Sequence, residues 1–202
     1  MNRSGRPLKS EINTDSREAI INAAARIIAR SGTENLTVRN VCNEAGLSTG
    51  TFYHFFHDKN ALMMSFITEP SFSEIKLSAP LSNISLRISE LYKSLIERYM
   101  KFGREFVKSF YNPCNKILSA YMCEENGNFM PGTVMARSEH ELNRALSEGI
   151  INLHENITVH EIASDICTIV KGCVFEWCLN NNELDIYALT ERIITNYMFR
   201  YV

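Results

Sequence analysis

The stretch from Thr37 to Leu62, TVRNVCNEAGLSTGTFYHFFHDKNAL, narrows the folds open to this chain more than any other part of it. Thr37 stands as a cap before Val38 and Val41, Ala45 completes their apolar stripe, and Gly46 supplies a stop, because glycine accepts the left-handed conformation a helix end prefers. Ser48 then caps a second short helix, with Phe52, Phe55 and Phe56 on its core side and Thr49, Gly50, Thr51, Tyr53 and His54 on its exposed face. Two short amphipathic segments joined across Ala45-Gly46-Leu47 read as a helix-turn-helix. A longer helix leads in from Ser16, its start capped by that serine, with Ile20, Ala24, Ile27 and Ile28 at helical spacing, Arg17, Arg26 and Arg30 opposite, and an end at Ser31-Gly32.

The exposed face of the second short helix is not what a plain helical bundle requires. Tyr53 has little to pack against there, but its hydroxyl suits a phosphate oxygen. Asp58 caps a further helix with Lys59 in its first turn, an unfavourable place for a cation beside the positive helix end. A phosphate docked at that end relieves the conflict, since backbone N–H groups and the ammonium then share one anion.

Residues 18 to 64 resemble the DNA-binding domain of the TetR family of bacterial one-component regulators. The pieces that carry the resemblance fall in order: Thr37, Ala45-Gly46-Leu47-Ser48, Gly50-Thr51-Phe52-Tyr53, Phe55-Phe56, and Asp58-Lys59 to Leu62. The resemblance implies a homodimeric transcriptional regulator, most often a repressor, bound to a double-stranded DNA operator. Thr49, Gly50, Thr51 and His54 would then lie near base edges, with Thr37, Tyr53 and Lys59 on phosphates; Arg39 and Ser48 complete the candidate DNA-binding set. Thr49 and His54 occupy positions that vary in the family, so they bear on which operator is read.

Composition agrees with a small head on a larger helical body. The 202 residues carry a net charge of −2, which hides an uneven spread: residues 1 to 60 hold eight Lys or Arg against six Asp or Glu. Met1 to Ser10 holds Arg3, Arg6 and Lys9 with no acid, and Gly5 and Pro7 argue against helix, so residues 1–15 read as a flexible basic arm able to follow phosphates or enter the minor groove. The expected organisation is all-α, with this arm, an N-terminal three-helix helix-turn-helix domain over 16–66, and a helical ligand-binding and dimerisation domain over 67–202.

In that second part, Pro70 and Pro80 bracket a connection, and Ile84, Ile88, Leu91, Leu95, Tyr99, Phe102, Phe106 and Phe110 predict one long amphipathic helix up to Asn112-Pro113. A shorter piece follows over 115–123, then a loop to Gly132, a helix over about 135–153, another led by the cap Thr158, and a last one from Asp185 to Phe199. In the family this resembles, the last two helices form a four-helix dimer interface; here these are residues 158–180 and 185–200. Apolar residues on more than one face of the first of them agree with that. A small apolar or amphipathic effector is expected in the body, with Tyr99, Phe102, Phe106, Phe110, Tyr121, Met122 and Trp177 as candidate lining.

Other classes find less support. No signal peptide and no apolar run long enough for a bilayer is present, so the expected setting is cytoplasmic. No nucleophile–base–orienter set, cofactor motif or regular metal-ligand spacing is visible. The six cysteines form no C-x-x-C pair and read as reduced core residues. A thiol-switched regulator on the same fold remains an alternative, through Cys114, Cys123, Cys173 or Cys178 beside Lys116 or Lys171. So does a helical interaction protein without DNA binding.

Overall fold

The computed structural model describes residues 9–112, 115–118, 126–154, 156–180 and 184–202. Its α-helices are α1 (Lys9–Ser31), α2 (Val38–Ala45), α3 (Thr49–Phe55), α4 (Lys59–Thr68), α5 (Ile84–Met100), α6 (Arg104–Phe110), α7 (Val134–Ser147), α8 (Val159–Leu179) and α9 (Ile186–Met198). Among the described residues, no helix is long and apolar enough to cross a membrane.

The first four helices make the head. Ile20, Ala23, Ala24, Ile27 and Ile28 of α1 pack with Leu36, Val41, Phe52, Phe56 and Leu62 into its core. The turn between α2 and α3 is a Schellman motif: the Leu47 N–H donates to the Cys42 carbonyl at 3.0 Å and the Gly46 N–H to Asn43 at 3.3 Å. Gly46 has φ +67°, which is why glycine stands there.

In the body α9 packs against both α5 and α8, and α7 packs on both α5 and α8. A buried carboxylate holds α7 to α5. Glu141, fully enclosed, takes Arg87 of α5 at 2.7 Å together with Arg137 at 2.8 Å and Arg144 at 3.2 Å from its own helix. Arg87 also donates to the Ala79 carbonyl at 2.6 Å, so the connection before α5 is held by the same group. The head joins the body chiefly where α1 lies against α6.

Three boundaries differ from expectation. α1 begins at Lys9 rather than Ser16, so Ser16 lies inside it; between Pro7 and Ser31 no Gly or Pro intervenes to stop a helix. Residues 1–8 of the expected arm lie outside the described residues. The long stripe over 84–110 is broken into α5 and α6 by Gly103, whose φ of +85° ends one helix and turns the chain into the next. α7 ends at Ser147 rather than near Leu153, because Gly149 adopts φ +70°; Ile151 is buried all the same, from the loop that follows.

Candidate nucleic-acid interface

The outer surface of α3 is built from its caps. The Ser48 hydroxyl accepts from the Thr51 N–H at 3.0 Å and lies 2.9 Å from the Thr51 hydroxyl, so both side chains are engaged in starting the helix. Thr37 does the same for α2, accepting from Asn40 at 3.1 Å, and Asp58 for α4, accepting from Ala61 at 2.8 Å. Phe52 and Phe56 are buried beneath, and the Phe52 ring meets Tyr53 edge-on at 5.5 Å. With the core side anchored, Thr49, Gly50, Tyr53 and His54 are left facing outward, and Tyr53 is 58% exposed.

Gly50 has a particular meaning on this face. A Cβ there would meet only Ser48 Oγ, at 3.6 Å, which is ordinary contact. Nothing inside the protein requires a glycine at this point, and in a helix it is costly, so the use of a missing side chain lies on the outside.

Charge on the head is more restricted than the count of arginines suggests. Arg26 and Arg30 both reach from α1 to Glu44 of α2, at 2.9 and 3.3 Å, and their hydrogen bonds hold its carboxyl below the usual range. Arg17 pairs with Glu69 and lies over the Phe56 ring at 5.1 Å. All three brace the head internally. Arg39 and Lys59, both exposed, make no ion pair among the described residues and are the uncommitted cations beside α3. Sequence reasoning missed this clamp, because the partners lie 14 to 52 residues apart and no local pattern marks them.

The aromatic residues expected to line a pocket are placed in three settings. Phe102, Phe106 and Phe110 form a seam between body and head, with Phe66 of α4 at 5.2, 5.1 and 5.9 Å from their ring centres. Phe106 and Phe110 are fully buried and stack at 5.1 Å, which is core packing. Trp177 is half-buried beneath the Arg104 guanidinium at 4.1 Å. Tyr99 alone lines a slot inside the body, with Tyr92, Leu95, Val134, Met135 and Cys167. Burial pushes its phenol up to about 12. Tyr121 and Met122 lie outside the described residues.

The thiols among the described residues do not read as a switch. Burial pushes Cys42, Cys167, Cys173 and Cys178 up, away from the reactive thiolate. Cys114 and Cys123 lie outside the described residues. His160 Nδ1 donates to the Glu139 carboxylate at 2.9 Å and its ring stacks on Phe129, and His154 Nε2 donates to the Arg200 carbonyl at 2.8 Å, so both are engaged in structure.

A helix-turn-helix head with an open recognition face, carried on a larger helical body, defines a transcriptional regulator. Residues 20–65 match the family described as bacterial regulatory proteins, tetR family. Over nearly its whole length the chain is similar to the HTH-type nicotine-responsive transcriptional repressor HdnoR of Paenarthrobacter nicotinovorans, 22% identical over 92% of this chain and 95% of that protein. Two solved structures share the fold. Full-length TylP, a TetR regulator from Streptomyces fradiae, superimposes with a TM-score of 0.68 at 16% identity, over 96% of this chain and 82% of that one. FadR of Bacillus subtilis in complex with stearoyl-CoA does so with a TM-score of 0.59 at 20% identity, over 91% and 98%. The head is thus that of the TetR family of bacterial regulatory proteins, and the chain as a whole has the fold of TetR regulators.

Proposed function

We propose that the protein is a homodimeric repressor that leaves an inverted-repeat operator when a small apolar or amphipathic molecule enters its body. The head over 16–66 reads the DNA, the body over 67–202 binds the effector and the second subunit, and the basic segment before them follows the phosphates. Each α3 enters a major groove, with Thr49 and His54 at base edges, Gly50 where the DNA approaches closest, and Tyr53, Lys59, Arg39 and the Thr37 end of α2 on the backbone. Ser48 and Thr51 act mainly by shaping α3. The observation that carries the reading is the outer face of α3, where a glycine with no internal reason stands beside an exposed tyrosine and two unpaired cations.

Dimerisation is supported by α8 and α9. Thr168 and Gly172 line an outward stripe on α8, and Leu179 and Phe199 stand 63% and 83% exposed at the ends of α8 and α9. Burial against a second subunit would cover these apolar side chains, and two subunits are what allow two heads to meet half-sites about one helical turn apart.

Release is supported by the seam. The ring contacts run from Tyr111 to Tyr99 at 5.3 Å, on to Phe110 at 5.7 Å, then to Phe66 of the head at 5.9 Å. A ligand that favours one packing of these rings shifts the head with it, and a coupling of about 1 to 3 kcal/mol suffices for a working switch. Relatives of this build respond to nicotine or bind stearoyl-CoA, so the fold by itself names no effector.

Selection of bound duplexes from a random pool at moderate salt, followed by sequencing, tests the reading. Enrichment of an inverted repeat is expected. Purified dimer that enriches nothing, even at low salt, would overturn it.

A further inference from the structure

Lys116 and Lys59 line one open groove of about 400 Å³ where the body comes down onto the head. Thr33, Glu34 and Leu36, from the connection between α1 and α2, make one side of it, and Lys59, Asn60 and Met63 of α4 make another. Asn115, Lys116 and Ile117 close it from the body. Both lysines are exposed, and neither ammonium has an ion pair or hydrogen bond among the described residues. Glu34 is the acid of the groove, and its carboxylate is turned back over Gly32, so the two lysines leave the groove net positive.

We infer that Lys116 is a DNA contact made by the body: its ammonium binds a phosphate of the duplex that α3 reads, beyond the phosphate held at Lys59. The inference rests on the DNA-binding reading above and extends its contact surface past the head. Position carries it. Leu36 directly precedes Thr37, whose end of α2 lies on the backbone in that reading, and Lys59 is the phosphate residue of α4. The groove therefore opens between two places where the duplex is already held. The body reaches this level because its chain descends along α4. Phe102, Phe106 and Phe110 meet Phe66 near the end of that helix, whereas Ile117 shares the groove with Lys59 and Met63 at its start. The segment that carries Lys116 is fixed. Asn115, buried, donates from Nδ2 to the Phe110 carbonyl at 3.0 Å and accepts at Oδ1 from the Leu118 N–H at 3.3 Å, and Leu118 is buried as well. A duplex carries one negative charge about every 1.7 Å of its axis, so two ammonium groups on one groove meet different phosphates rather than compete for one. The contact also gives release a direct route. Asn115 is bonded to Phe110 of the seam, so a repacking of those rings carries Lys116 with it.

The test measures the affinity of the full chain for a mixed-sequence duplex across a salt series, since phosphate contacts do not depend on the bases. Lys116→Ala should weaken binding most at low salt and flatten the slope of log K against log salt by about one per subunit. Lys116→Arg, which keeps the charge, should keep the parent slope. Lys93→Ala, which removes an exposed lysine over the Tyr187 ring, should keep it too and so sets a local contact apart from the loss of any one charge. Both Lys116 variants should melt with the parent, because the side chain is exposed and unpaired. A slope unchanged in Lys116→Ala, lost equally in Lys116→Arg, or flattened as much by Lys93→Ala would overturn the contact. Lys59→Ala separates the two readings. A slope that falls for Lys59→Ala and holds for Lys116→Ala leaves the head on DNA and takes the body off it, whereas a parent with no salt-dependent affinity for duplex removes both.

Discussion

Gly50 and Lys59 are the residues on which the DNA-binding reading is most open to test, because neither is needed by the fold. Gly50→Ala places a methyl in open space next to Ser48 and removes a flexible residue from a helix, so thermal stability should hold or rise by about 0.5 kcal/mol. Operator affinity should fall at least tenfold; an alanine variant that binds as well as the parent would remove Gly50 from the interface. Lys59→Ala should weaken binding to all sequences alike and flatten the dependence of log K on log salt by about one per subunit. An unaltered slope would take Lys59 off the phosphates. These positions were legible in the sequence because caps and turns are local: Thr37, Ser48 and Asp58 each accept from the N–H three residues on, as their spacing requires. What was not legible is that Ser48 and Thr51 spend their hydroxyls on each other, and that Arg17, Arg26 and Arg30 are taken by carboxylates.

Among the elements, α5 and α7 are joined by the most exacting contact in the body. Burial alone would raise the Glu141 carboxyl, but Arg87, Arg137 and Arg144 together hold it below its ordinary value. A carboxyl whose folded pKa is depressed contributes its stability in full above the unfolded value, about 4.3, and loses it as pH falls through the folded one. The parent protein should therefore lose stability steeply below about pH 4, and Glu141→Gln should melt earlier at neutral pH, by about 3 kcal/mol, with a shallower acid limb. Acid limbs of equal steepness would show that the carboxylate is not what fails. Helix existence and type followed from apolar spacing, but three boundaries did not. The stripe from Ile84 to Phe110 has unbroken helical period, and only the φ of Gly103 shows where it stops. Periodicity reports which face is buried, and two helices meeting at a glycine can continue one stripe.

At the scale of the whole molecule the outward stripe of α8 is the strongest sign of a second subunit. Gly172 lies mid-helix with nothing within 4 Å of where its Cβ would be, so the monomer gains nothing from a glycine there. Gly172→Arg should leave the monomer folded and slightly more helical, while sedimentation shows the dimer dissociating and operator affinity falls by roughly a hundredfold. A variant that remains dimeric would move the interface off this stripe.

The chain's own sequence determined what depends on neighbours in the chain: the three caps, the left-handed turn at Gly46, the buried face of each helix, and with them the family of the head. Only the tertiary structure decided which aromatics are seam and which is slot, and which arginines are spent. The division has one physical cause. A cap or a helical stripe is set by hydrogen bonds and side chains within about four residues, whereas a cavity wall or an ion pair joins residues that only packing brings together.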